Sequence, residues 1–486
     1  MASIDPAIEH LLRRAGFGAR PDELDVYRSA SINGAVTRLL NYDRIPDDVD
    51  AKIGQPGYAS TTARNATGFA PRLNILDARQ RWLFRMVHSD RPLQEKMTLF
   101  WHNHFATAYT KINGQLGAAD AARYLAGRAS EDPNGVRGQI EMLRDNALGN
   151  FRDILVNIAK DVAMLYWLDG YLNVRTRPQE NFGREIMELF TLGVGNYTEQ
   201  DVYAAARVFT GWNVANRGDG RGGSYREFNF AAGNHDTAEK TFSFAIYPDG
   251  KKTIPARPAA QGMQDGLDFI DGLCARPETG RYLARKLYRF FVSEVGEVSD
   301  RFVTNVADTF LRRNYDMRAV MQEVLMSPEF WDRGNYYTRY SWPVEFVVRG
   351  MKDIGWRGFS VNDALTPLGN MGQNLYDPPD VAGWDLGQAW FSTGSMLARM
   401  NFASTLAGNQ RFNLGSGALA HGATPQQLLS YVLDSMRTPS FDDVIVVELE
   451  NYLRATGPWT GSAAQVQNKV TGLVHLVAGT PEYQFV

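Results

Sequence analysis

Glu180-Asn181-Phe182-Gly183-Arg184-Glu185-Ile186-Met187-Glu188-Leu189-Phe190-Thr191-Leu192-Gly193 follows closely on Pro178 and ends on a glycine. A proline ahead of the first turn and a glycine past the last bracket an α-helix. Ile186, Met187, Leu189 and Phe190 place apolar side chains around the whole helix, so burial on several sides is expected. Thr198-Glu199-Gln200-Asp201 then resembles a capping box with Asp in place of Glu. It opens a second helix through Ala204, Ala205, Ala206 and Phe209 that ends at Gly211. Helix signals of this kind outnumber strand signals along the chain, which makes the fold class mainly α.

The same reading extends outward. His10 to Ala15 forms a short helix closed by Gly16, and Pro21-Asp22-Glu23 opens another. Leu76, Leu83, Phe84 and Val87 recur at helical spacing, as do Leu93, Met97 and Phe100 after a start signalled by Asp90 and Pro92. Residues 138–169 read as a helical pair, and residues 54–71, rich in Gly, Thr, Asn and Pro, as a loop. The helical pattern breaks over 213–258. There Gly218, Gly220, Gly222 and Gly223 precede the alternating runs Phe228-Asn229-Phe230 and Thr241-Phe242-Ser243-Phe244, which predict a small β-hairpin insertion. Met321 to Phe330 echoes Val474 to Tyr483, each an apolar helix halted before a Pro-Glu-aromatic turn. Two copies are too few for a solenoid, so residues 1–486 are read as one large helical body.

At 486 residues and 44% hydrophobic the chain can bury a sizeable core. Its formal net charge of −3 gives no broad basic field, so nucleic acid is not an expected partner. A lone Cys274 rules out an intrachain disulfide and predicts a buried apolar role. No apolar run reaches the ~20 residues of a membrane-spanning helix. The amino terminus lacks a basic region leading into an apolar one, so a soluble, cytoplasmic protein is expected as the chain is written, or an exported one if a leader was removed. Oligomeric state is not legible.

Ionisable side chains concentrate in two places. Trp101-His102-Asn103-His104-Phe105 holds two of the seven histidines. Residues two apart on a helix diverge by about 200°, so His102 and His104 share a metal only if the helix ends before them. Glu185 and Glu188, three apart, do share a face, where mutual repulsion raises one pKa and sets an acid beside a base. Arg184 is read either as the orienter of a substrate carboxylate or as the salt-bridge partner of Glu188. Arg207 is a further candidate partner, and Glu180 and Asn181 suit the helix start.

His235-Asp236 with Lys240, in the insertion, reads as a catalytic lid or clamp. Trp212, Trp384 and Trp390 lie in Gly-rich or polar contexts where an exposed ring suits stacking on a sugar. A phosphate-binding P-loop, a Gly-x-Ser-x-Gly elbow and His-Glu-x-x-His are all missing.

Taken in order, these motifs resemble the bacterial family DUF1800. The likeness runs from His10-Leu11-Leu12-Arg13-Arg14-Ala15-Gly16-Phe17-Gly18 through the histidine and carboxylate motifs. It continues through Phe209-Thr210-Gly211-Trp212, His235-Asp236 and Pro378-Pro379-Asp380-Val381-Ala382-Gly383-Trp384 to Pro481-Glu482-Tyr483-Gln484. The family's name declares its function unknown, so the resemblance implies no particular activity; many members look exported. Gln179 and Gly183 stand where the family pattern has Asn and Ala.

The residues themselves predict a hydrolase or lyase acting on a small-molecule or saccharide substrate. Glu185, Glu188, His102, His104, His235 and Asp236 are the catalytic candidates. Arg184, Arg207, Asn181, Trp212, Lys240 and Trp384 are the substrate-binding candidates. No cofactor is required. One alternative is a metal enzyme in which His102 and His104 hold a divalent ion with Glu185 or Glu188; another is a non-catalytic binding or scaffold protein.

Overall fold

A computed structural model describes residues 5–55, 58, 68–356, 362–408, 413–437, 441–455 and 457–486. Most of the loop expected over 54–71 lies outside the described residues. The chain is mainly α, with twenty-four α-helices among the described residues and two small antiparallel two-stranded sheets.

Local sequence chemistry sets many of the helix ends. Thr198 and Asp201 form the reciprocal box, Asp201 Oδ2 accepting from the Thr198 amide at 2.7 Å and Thr198 Oγ1 from the Asp201 amide at 3.3 Å. The helix Glu199–Val208 that they open gives way to Gly211 at φ 81°. Residues 138–169 hold three helices rather than two, Gln139–Asp145, Phe151–Lys160 and Val162–Trp167. The histidine helix spans Pro92–His104, but Asp90 does not cap it. The Asp90 carboxylate turns instead to Lys52 and Arg20, at 3.7 and 4.0 Å.

The insertion is a hairpin with a different pairing from the expected one. β1 (Trp212–Gly218) pairs with β2 (Ser224–Phe230), Trp212 opposite Phe230 and Gly218 opposite Ser224. The glycine run is therefore the turn of the hairpin, not its approach. Asp219 Oδ1 closes it by accepting from the amides of Arg221 and Gly223, both at 2.8 Å. The second run contributes only β3 (Lys240–Thr241), which pairs with β4 (Thr253–Ile254).

The echoed segments share a hydrogen-bond pattern. Ser327 and Thr480 each donate the hydroxyl to the carbonyl three residues back, at 2.8 and 2.9 Å. Each also accepts from the amide three residues ahead, at 3.2 and 3.4 Å. Contacts of long sequence separation close the core: His10 Nε2 meets the Phe330 carbonyl at 3.0 Å, and the Val486 amide donates to the Arg339 carbonyl at 2.9 Å. Cys274 is fully buried.

Candidate functional site

The carboxylate helix, Glu180–Glu188, is two-faced. Phe182, Gly183, Ile186 and Met187 are buried. Gly183 lies against the helix Glu199–Val208, where an added Cβ would stand 3.0 Å from the Ala206 amide nitrogen. That packing leaves Arg184, Glu185 and Glu188 half-buried on the other side. Burial, and then the charge of Glu188, pushes the Glu185 carboxyl up to about 7 against the opposing pull of Arg184. Glu188 accepts a hydrogen bond from the Tyr197 hydroxyl. Arg184 is not its partner. The guanidinium makes a two-pronged contact with Glu199 at 2.8 Å and lies 3.7 Å from Glu180. Asn181 is exposed and donates to Asp169 at 3.3 Å.

Beyond the helix, the chain turns through Gly193 and Gly195, both at positive φ. This turn faces the arginine helix, Pro277–Phe291, across an open cleft of about 690 Å³. Leu192, Gly193, Val194 and Asn196 line one side, and Arg281, Tyr282 and Arg285 the other. Gly193 is needed there: a Cβ would stand 2.9 Å from the Tyr282 ring. Burial and then the Glu188 charge push the Tyr282 hydroxyl up to about 12.

One turn on, the Lys286 ammonium lies 5.3 Å from the centre of the Tyr282 ring. Burial pushes it down to about 8, and among the described residues no carboxylate lies within 4.0 Å. Sequence reasoning missed Tyr197, Tyr282 and Lys286. A signal existed in Arg281-Tyr282-Leu283-Ala284-Arg285-Lys286, a cluster of cations around one tyrosine.

Neither histidine lines the cleft, although the His104 ring lies 6.4 Å from that of Tyr282, which does. Both belong to the histidine helix, so they diverge, and both are buried. His102 faces Trp82, Tyr376 and Trp384, and its Nε2 accepts from the Tyr376 amide at 3.1 Å. His104 packs among Phe100, Phe105 and Phe190, and its Nε2 donates to the Phe190 carbonyl at 3.1 Å. The two rings thus hold opposite tautomers. Burial holds the His102 imidazole down at about 3 and that of His104 well below its usual range. Both rings, anticipated as proton carriers, are thus buried in the fold and not exposed at a surface.

The anticipated lid is a buried ion network. His235 and Lys240 are fully buried, and both reach Asp265, at 3.2 and 2.5 Å. Arg257 completes the cluster at 2.9 Å from the same carboxylate. Burial alone would raise Asp265, but the bonds from His235 and Lys240 hold it below the usual carboxylate range. Asp236 pairs with Arg207 at 2.7 Å, which occupies both groups. Trp212, Trp384 and Trp390, expected as exposed rings, are 1%, 4% and 5% exposed. Trp212 is covered by Gly266 and Phe228, Trp384 by His102, and Trp390 by Trp342.

Among the described residues, no three His, Cys, Asp or Glu side chains are grouped to hold a metal ion. The ligand set of His102 and His104 with Glu185 or Glu188 is therefore not assembled. No helix among them is long and apolar enough to cross a membrane. A family described as protein of unknown function (DUF1800) matches residues 10–485. No curated protein and no solved structure matches the chain.

Proposed function

The chain belongs to the DUF1800 family, and from the geometry of its carboxylate helix we propose an acid–base enzyme, a hydrolase or lyase acting on a polar, saccharide-like substrate. Glu185 is the proton donor and Glu188 the base. The observation that carries this reading is a half-buried carboxyl held near 7 beside a second carboxylate, on the helix that leads directly into the Leu192–Asn196 wall of an open cleft. Tyr197 orients Glu188 through its hydroxyl, and Tyr282 offers a flat face in the cleft. The histidines, Asp236 and Lys240 act as structure, not as proton carriers. A second reading, a non-catalytic binding protein, is favoured by how many of the charged motif residues are tied into ion pairs with one another.

The two separate on turnover. Wild type and Glu185→Gln are incubated with a panel of chromogenic aryl glycosides and of neutral and acidic oligosaccharides. The wild type should release product from at least one, with the rate lost as pH rises through about 7, where the donor deprotonates. The variant should be slower by about 10²–10⁴-fold. A wild type inert across the panel, or a variant of equal rate, leaves only the binding reading.

A further inference from the structure

The proposed chemistry leaves the charge of the cleft unexplained. The whole chain carries a net charge of −3, yet the arginine helix presents Arg281, Arg285 and Arg289, four residues apart, all exposed. Like charges at this spacing repel along one face and destabilise the helix. Among the described residues neither Arg281 nor Arg285 has a carboxylate within 4.0 Å. The one guanidinium bond between them is a long contact from Arg285 to the Arg281 carbonyl, at 3.5 Å. Glu278, the acidic group of the cleft, is already matched by Arg276 at 3.0 Å. The cleft therefore has on one wall two guanidinium forks that, among the described residues, lack a carboxylate partner, together with the Tyr282 ring.

We infer that this cleft is a subsite for a carboxylate-bearing saccharide, the acid group held by Arg281 and Arg285 and the sugar ring laid on Tyr282. A guanidinium fork matches a carboxylate in two parallel hydrogen bonds, and the side chains of both arginines are already at the cleft wall. An apolar sugar face suits the flat phenol. Lys286, behind Tyr282 and also without a carboxylate within reach, adds positive potential from below. This inference rests on the acid–base reading and names the class of its substrate.

Binding is measured apart from turnover, by calorimetry on Glu185→Gln protein with hexagalacturonate and with maltohexaose as probes. Hexagalacturonate should bind, and its affinity should fall as salt is raised. It should weaken by at least about tenfold in the protein also carrying Arg281→Ala and Arg285→Ala, while maltohexaose should bind at least about tenfold more weakly than the acidic probe. A thermal melt of the triple variant checks that it is folded, which the exposure of both arginines predicts. Equal binding of the two oligosaccharides, no binding of either, or full affinity in the arginine variant overturns the inference. Retained hexagalacturonate binding with no turnover by the wild type would sink the acid–base reading and leave the subsite standing.

Discussion

Glu185 links the site to the stability of the protein. Its carboxyl titrates near 4.5 when free and near 7 in the fold, so the folded state holds the proton more tightly. The group favours folding most below about 4.5, and that advantage is lost as pH rises to about 7. An amide at this position does not ionise. Glu185→Gln should therefore match wild type in urea unfolding near pH 4 and exceed it near pH 8. The gain is on the order of 1 kcal/mol once solvent screening of a half-exposed group is allowed for. A variant no more stable than wild type at the higher pH would mean that Glu185 is not strained by its surroundings. The pairing of Glu185 with Glu188 was legible because three residues on a helix always share a face. The alternative pairing of Arg184 with Glu188 does not form because a partner from the next helix, Glu199, lies closer than any within its own.

Elements were readable where their signals are local. The capping box at Thr198 and Asp201 formed as read, since its donors and acceptors lie within four residues of each other. The hairpin was found but mispaired, because register depends on which strands meet and not on either strand alone. Gly183 shows the same division. Sequence marks it as a weak helix residue, and only the packed pair of helices explains why it fits. An added Cβ meets the Ala206 nitrogen at 3.0 Å and the Ala205 Cβ at 3.1 Å. Gly183→Ala gains about 1 kcal/mol of helix propensity and meets about 1–3 kcal/mol of overpacking. A net loss of about 1 kcal/mol should appear as a lower urea midpoint; a higher midpoint would show that the two helices part without cost.

Across the molecule, the histidine helix also holds the clearest long-range tie, one that sequence could not display. Its Lys96 and the distant Arg339 both bind Glu345, and all three side chains are at most 2% exposed. Burial alone would raise Glu345, yet the charges of Arg339 and Lys96 hold it down at about 2. Burial in turn pushes Lys96 down to about 7 despite that carboxylate. The same distance problem hid Asp265 from His235 and Lys240, thirty and twenty-five residues away in the chain.

The Lys96–Arg339–Glu345 triad is asymmetric, one anion serving two cations. Removing the anion leaves Arg339 buried with only the less direct charge of Glu294 and drives the buried Lys96 amine further down, whereas removing Lys96 leaves Glu345 still paired with Arg339 at 2.6 and 2.7 Å. Glu345→Gln should therefore cost about 3–5 kcal/mol in urea unfolding, and Lys96→Met clearly less. Adding Lys96→Met to Glu345→Gln should recover part of the loss, since a buried amine without its carboxylate partner is replaced by an apolar side chain. Equal costs for the two single variants would mean that water reaches the cluster and screens it. The ion triad would then tie the two segments together only weakly.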